Sequence, residues 1–131
     1  MSDEPKKSMD DVILADGRYP LEAFRFLHEG LEQAVEKVHG GTSGSQGQHH
    51  VTGRQMCEAL RDLAAQRWGM LAPLVLGRWN IKSTLDFGRM VYLLIEHQFM
   101  KKTAEDSLED FSDVFNLPHA FRDVDTFKLK S

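Results

Sequence analysis

The sequence predicts a mainly α-helical fold, a compact single-domain bundle of four to five helices. Three observations lead there. Apolar residues recur at three- and four-residue steps along several stretches. Residues that start and stop helices punctuate those stretches, and no continuous strand signal falls between them. The chain has 131 residues, 41% of them hydrophobic. That length fits one domain, and a chain of this size buries roughly two-thirds of its unfolded surface. Residues 1–8 are expected to be a disordered N-terminus, 9–121 the helical domain, and 122–131 a C-terminal tail.

Each element has its own signal. Residues 9–15 suit a short helix stopped at Asp16-Gly17. A long helix begins at Tyr19-Pro20, with proline expected at its first position, where its missing N–H costs nothing. Leu21, Phe24, Leu27, Leu31, Val35 and Val38 share one face of it, and Gly40-Gly41 ends it. Residues 40–50 hold four glycines and no large apolar side chain, which predicts a flexible surface loop. Thr52 is expected to cap a second long helix whose stripe is Met56, Cys57, Leu60, Leu63, Ala64 and Trp68, ended by Gly69. A short helix over 71–79 is apolar nearly all round, which predicts a central, buried position. Ser83 or Thr84 starts the next helix, expected to reach Phe99 and to bury Phe87, Met90, Val91, Leu94 and Ile95. Thr103 and Asp106 resemble a capping box for a last helix running to Phe115, which would bury Leu108, Phe111 and Phe115. An irregular tail follows, with phenylalanines that could clip onto the core.

Charge divides the chain into thirds. The net charge of −4 is the balance of 16 basic and 20 acidic residues. The acidic excess lies in residues 1–50 and 103–131, while the middle, 51–102, is basic. One reading is mutual neutralisation, with acidic ends folding over the basic centre. The other is a patch for a partner or an anion formed by Arg54, Arg67, Arg78, Lys82, Arg89, Lys101 and Lys102. Trp68 and Trp79, each preceded by an arginine, frame the short helix and suggest an Arg–Trp edge open to a partner. A helix-turn-helix-like middle also allows a winged-helix-like C-terminal half, with Lys101-Lys102 at the base of a wing. Against that stands the helix meant to read the groove, which is apolar from Val91 to Ile95 apart from Tyr92.

Catalytic signals are sparse. A single cysteine excludes an internal disulfide framework and a multi-cysteine zinc site, and Cys57 sits on an apolar stripe where a core residue belongs. The weak metal candidates are His28 with Glu32 and Glu96 with His97, but the Glu-x-x-His step of di-iron bundles is missing. His49-His50 falls in the glycine-rich loop and makes a poorly preorganised ligand pair. Asp86-Phe87-Gly88 lacks the rest of a kinase motif set, and no phosphate-binding or nucleophile-elbow motif occurs. The carboxylates Glu105, Asp106, Glu109, Asp110 and Asp113 suit the first turns of a helix. No apolar stretch approaches the ~18 residues of a membrane span, and the N-terminus carries no signal-like segment. A cytoplasmic, membrane-free protein is therefore expected.

Arg18-Tyr19-Pro20-Leu21-Glu22-Ala23-Phe24, His50-Val51-Thr52-Gly53, Arg78-Trp79-Asn80-Ile81, Asp86-Phe87-Gly88 and 102–107 form a distinctive set of short motifs. On these, the chain from residue 18 to Phe121 resembles a small protein family of unassigned function found mainly in Planctomycetes and Verrucomicrobia. The resemblance implies a bacterial cytosolic protein and brings no activity, cofactor or catalytic residue with it. The expectation is a non-enzymatic protein–protein interaction module, with a protein partner or a second copy of the chain bound by the basic 67–102 region. The alternative is a winged-helix-like nucleic-acid binder. A metal-dependent enzyme built on His28, Glu32, Glu96 and His97 is the third reading, and no cofactor is expected.

Overall fold

A computed structural model describes residues 7–40, 51–101 and 107–122 of the chain, and every described regular element is helical. Residues 1–6 of the expected disordered N-terminus, the 41–50 part of the loop, the Thr103–Asp106 capping box and the tail beyond 122 lie outside the described residues.

Helix α1 spans Met9–Asp16 and is held at its start by a reciprocal capping box between Ser8 and Asp11. Gly17, at φ 77°, closes it in the left-handed conformation. Helix α2 spans Leu21–His39. Pro20 precedes it as an extended N-cap rather than standing at the first helical position. The buried face of α2 is Ala23, Phe24, Phe26, Leu27, Gly30 and Ala34, so the expected stripe holds only in part. Leu31 is half-buried and Val38 is exposed.

Helix α3 spans Gly53–Trp68, and Thr52 and Gln55 form its capping box. Among the described elements, its pairing with α2 is the most extensive. A side chain at Gly30 would overlap Leu60, so the missing Cβ is what lets the two helices approach. Cys57, Leu60 and Ala64 are fully enclosed on the facing side.

Beyond Trp68 the chain makes a 3-10 turn, Gly69–Leu71, and a two-turn helix α4, Ala72–Arg78. Ala72 and Leu76 are its buried residues, whereas Leu71 and Leu74 are 62% and 64% exposed. The expected central position is therefore corrected: α4 lies at the edge. Its all-round apolarity reflects a buried side and an uncovered side, not burial on every side.

Asn80, at φ 67°, turns the chain into α5, Thr84–Glu96. The helix ends three residues before the expected Phe99, because the chain folds back through Gln98 at φ 66°. The N–H groups of Phe99 and Met100 then donate to the Leu94 carbonyl at 2.8 and 3.3 Å. The predicted last helix is a 3-10 turn instead, Leu108–Phe111, ended by extended backbone at Ser112 and a left-handed Asp113. Phe111 is buried as expected, but Leu108 is partly exposed and Phe115 half-buried, its ring 5.8 Å from the Arg61 guanidinium. Thr84, fully enclosed, pins this segment: its hydroxyl donates to the Phe111 carbonyl at 2.6 Å and accepts from the Val114 N–H at 3.2 Å. A short helix α6, Leu117–Ala120, then brings Leu117 and Phe121 into the core. The phenylalanine at 121 does clip on, from a helical turn rather than an irregular tail.

Candidate functional site

The seven basic candidates do not share one situation. Arg54 pairs with Glu58 one turn on at 3.6 Å, Arg67 reaches across from α3 to Glu29 on α2, and Arg89 donates to Asp86 at 2.9 Å. Lys37 with Asp62 at 3.6 Å joins the same two segments with the charges reversed. Among these pairs, Arg67 with Glu29 is the one in which an acidic residue of the first third neutralises a base of the middle. Arg78, Lys82 and Lys101 are exposed, and among the described residues no ion pair engages them. Lys102 lies outside the described residues.

Of the metal candidates, His28 and Glu32 face each other at 3.2 Å on the open surface of α2, and Glu96 and His97 are exposed at the end of α5. Among the described residues no three metal-ligating side chains come together. Cys57 is fully buried, and burial pushes its thiol up to about 12, so the nucleophilic thiolate is suppressed.

Sequence reasoning missed a polar cluster around Asp86. This carboxylate, 7% exposed, accepts from the Tyr19 hydroxyl at 2.5 Å, from Arg89, and from the backbone N–H groups of Lys82 and Ser83 at 2.8 and 3.2 Å. Burial works to raise its pKa, but the four hydrogen bonds outweigh burial and hold the carboxyl below its ordinary value. Burial, together with the hydrogen bond to Asp86, raises the Tyr19 phenol to about 12. The spacing Ser83-x-x-Asp86 is a visible capping signal. The partnership with Tyr19, on the far side of three helices in sequence, has no local signature. Every oxygen of Asp86 is spent within the protein, so the cluster joins α5 to the start of α2.

The uncovered side of α4 is different. Leu71, Leu74 and Arg78 fall at helical steps of three and four, opposite the buried Ala72 and Leu76. Met70, 53% exposed, extends the ridge at its N-terminal end. The tryptophans on either side of this segment, Trp68 and Trp79, form with Phe26 of α2 a triangle of rings with centroids 5.4, 5.7 and 5.6 Å apart. Between Asp62 and Asp86 the chain contains no carboxylate, but it carries Arg67, Arg78 and Lys82. Arg67 is paired with Glu29, which leaves Arg78 and Lys82, unpaired among the described residues, as the cations that follow the apolar ridge in the chain. Burying each exposed leucine would recover about 1–2 kcal/mol.

The fold and this face define an all-helical protein with an uncovered apolar edge. No helix among the described residues is long and apolar enough to cross a membrane. Comparison with protein-family models, with curated proteins and with solved structures finds no match for the chain.

Proposed function

We propose that the protein is a non-enzymatic interaction module that uses the Met70–Leu71–Leu74 ridge to dock an amphipathic helical segment bearing carboxylates. One observation carries this reading: the large aliphatic side chains of Met70, Leu71 and Leu74 stand uncovered along a segment bounded by two tryptophans in ring contact with each other. Charge selects the partner class. A second copy of the chain, meeting ridge to ridge, brings cations and no carboxylate from the 63–85 segment, whereas an acidic helix satisfies Arg78 and Lys82. The mode is helix against helix, read by residues at i, i+3 and i+7.

The protein's two tryptophans both flank α4 and report on it. A synthetic helix lacking tryptophan, with leucines on one face and glutamates beside them, is titrated while indole emission is followed. The expected outcome is a saturable spectral change. Leu74→Asp weakens it on the order of thirtyfold, as for removal of a central apolar anchor, and a lysine-flanked peptide gives no change. Equal response to both peptides, or an unaffected Leu74→Asp variant, contradicts the proposal.

The nucleic-acid reading gains less support. The helix it would place in the groove, α5, buries Thr84, Asp86, Phe87, Gly88, Met90, Val91, Leu93 and Leu94. The described residues include no strand for a wing, although part of the 100–103 segment lies outside them.

A further inference from the structure

A second feature lies away from the α4 ridge. An apolar groove of about 450 Å³ runs between α1, α2 and the start of the turn after α5, walled chiefly by Phe24, Leu27, Leu94, Met9, Met56 and Met100. That volume lies within the range of small-molecule sites, roughly 300–1,000 Å³. A smaller cavity of about 240 Å³ adjoins it, and the two share Leu31, Met56 and Met100 as a common wall. Methionine has three rotatable bonds and a polarizable thioether, so this partition can refit around a guest at low cost.

The polar groups on the larger groove are few: Asp10, Arg25 and His28. Asp10 stands in the first turn of α1, where its charge meets the positive end of that helix. His28 faces Glu32 at 3.2 Å. Arg25 is exposed, and no carboxylate among the described residues pairs with it. The rim thus carries one cation unpaired among the described residues, Arg25, and a carboxylate, Asp10, whose charge the α1 helix end offsets, and the slot has a deformable end. We infer that this groove binds a free fatty carboxylate, its acyl chain laid along Phe24, Leu27 and Leu94 and its head group at Arg25. A neutral chain leaves Arg25 without a counter-charge.

The test uses the full chain, stripped of lipid, titrated calorimetrically with laurate below its micelle concentration and in parallel with dodecanol. The expected result is saturable one-to-one binding of laurate, tighter than that of dodecanol. Arg25→Gln, a change at an exposed position of α2, lowers laurate affinity about three- to fivefold, as for a solvent-accessible ion pair, and leaves dodecanol affinity unchanged. Met100→Trp, which fills the slot, lowers both. Circular dichroism confirms that each variant is folded, and if Met100→Trp is not, the Arg25→Gln comparison decides alone. Absence of saturable laurate binding overturns the inference. So does equal affinity for the alcohol, an unchanged laurate affinity in Arg25→Gln, or binding to phosphatidylcholine vesicles without binding to free laurate.

Discussion

At the residue scale, one carboxylate, Asp86, ties Tyr19, the turn at Lys82-Ser83 and Arg89 together. Tyr19→Phe removes a hydrogen bond to a charged acceptor and should cost about 1.5–3 kcal/mol in chemical denaturation. Acid dependence follows from the lowered Asp86 pKa. A carboxyl held below its unfolded value, about 3.9, contributes stability that is present above that pH and is lost as pH falls through the folded-state value. Asp16, lowered chiefly by its hydrogen bond from Arg18, acts in the same direction. Denaturation midpoints measured from pH 6 down to pH 2 should therefore fall below about pH 4. Asp86→Asn should start lower and show a flatter slope, not a flat line. A variant with the wild-type slope would mean that the cluster does not form. Half of this cluster is visible in the sequence, since Ser83-x-x-Asp86 is a capping signal. The half that matters most comes from residue 19, and only the three-dimensional meeting of α2 and α5 reveals it.

At the element scale, the boundaries that were legible are local chemistry: Thr52, Gly17 and Gly69 act on backbone groups within a few residues of themselves. Ser8, assigned to a disordered N-terminus, caps α1 by the same local chemistry and was missed. What an element packs against is not local, and here the reading of α4 failed. Apolar residues on every side of a short helix look the same in sequence whether the outer side is covered by protein or left open. The last predicted helix failed for a related reason: Thr84 captures the Phe111 carbonyl and the Val114 N–H, and a 3-10 turn results. The same substitution at two glycines distinguishes packed from open helix. A Cβ at Gly88 would stand 2.8 Å from the Phe111 Cβ, so Gly88→Ala should destabilise by about 1–3 kcal/mol. A Cβ at Gly77 meets nothing within 4 Å, so Gly77→Ala should stabilise α4 by about 0.5–1 kcal/mol through helix propensity alone. Urea midpoints moving in the same direction for both variants would refute the placement of the two helices.

At the scale of the whole molecule, the uneven charge along the chain resolves into two parts. Some of the basic middle is consumed by carboxylates, as in Arg67 with Glu29 and Arg54 with Glu58. The remainder, Arg78 and Lys82, follows in the chain the segment where Met70, Leu71 and Leu74 are all exposed. The sequence pointed to the basic middle and the Trp68–Trp79 edge as a partner surface, but not to Leu71 and Leu74, whose exposure depends on how α4 is seated. The central claim is that this ridge is a docking face. Placing a photo-crosslinking residue at Leu74, and separately at the exposed Glu22 on α2, and irradiating intact cells tests it most directly. The account predicts one dominant adduct from position 74, absent from position 22 and lost in the Arg78→Glu background, with the cross-link mapping to an acidic amphipathic helix. An identical adduct pattern from both positions, or none from position 74, would contradict it.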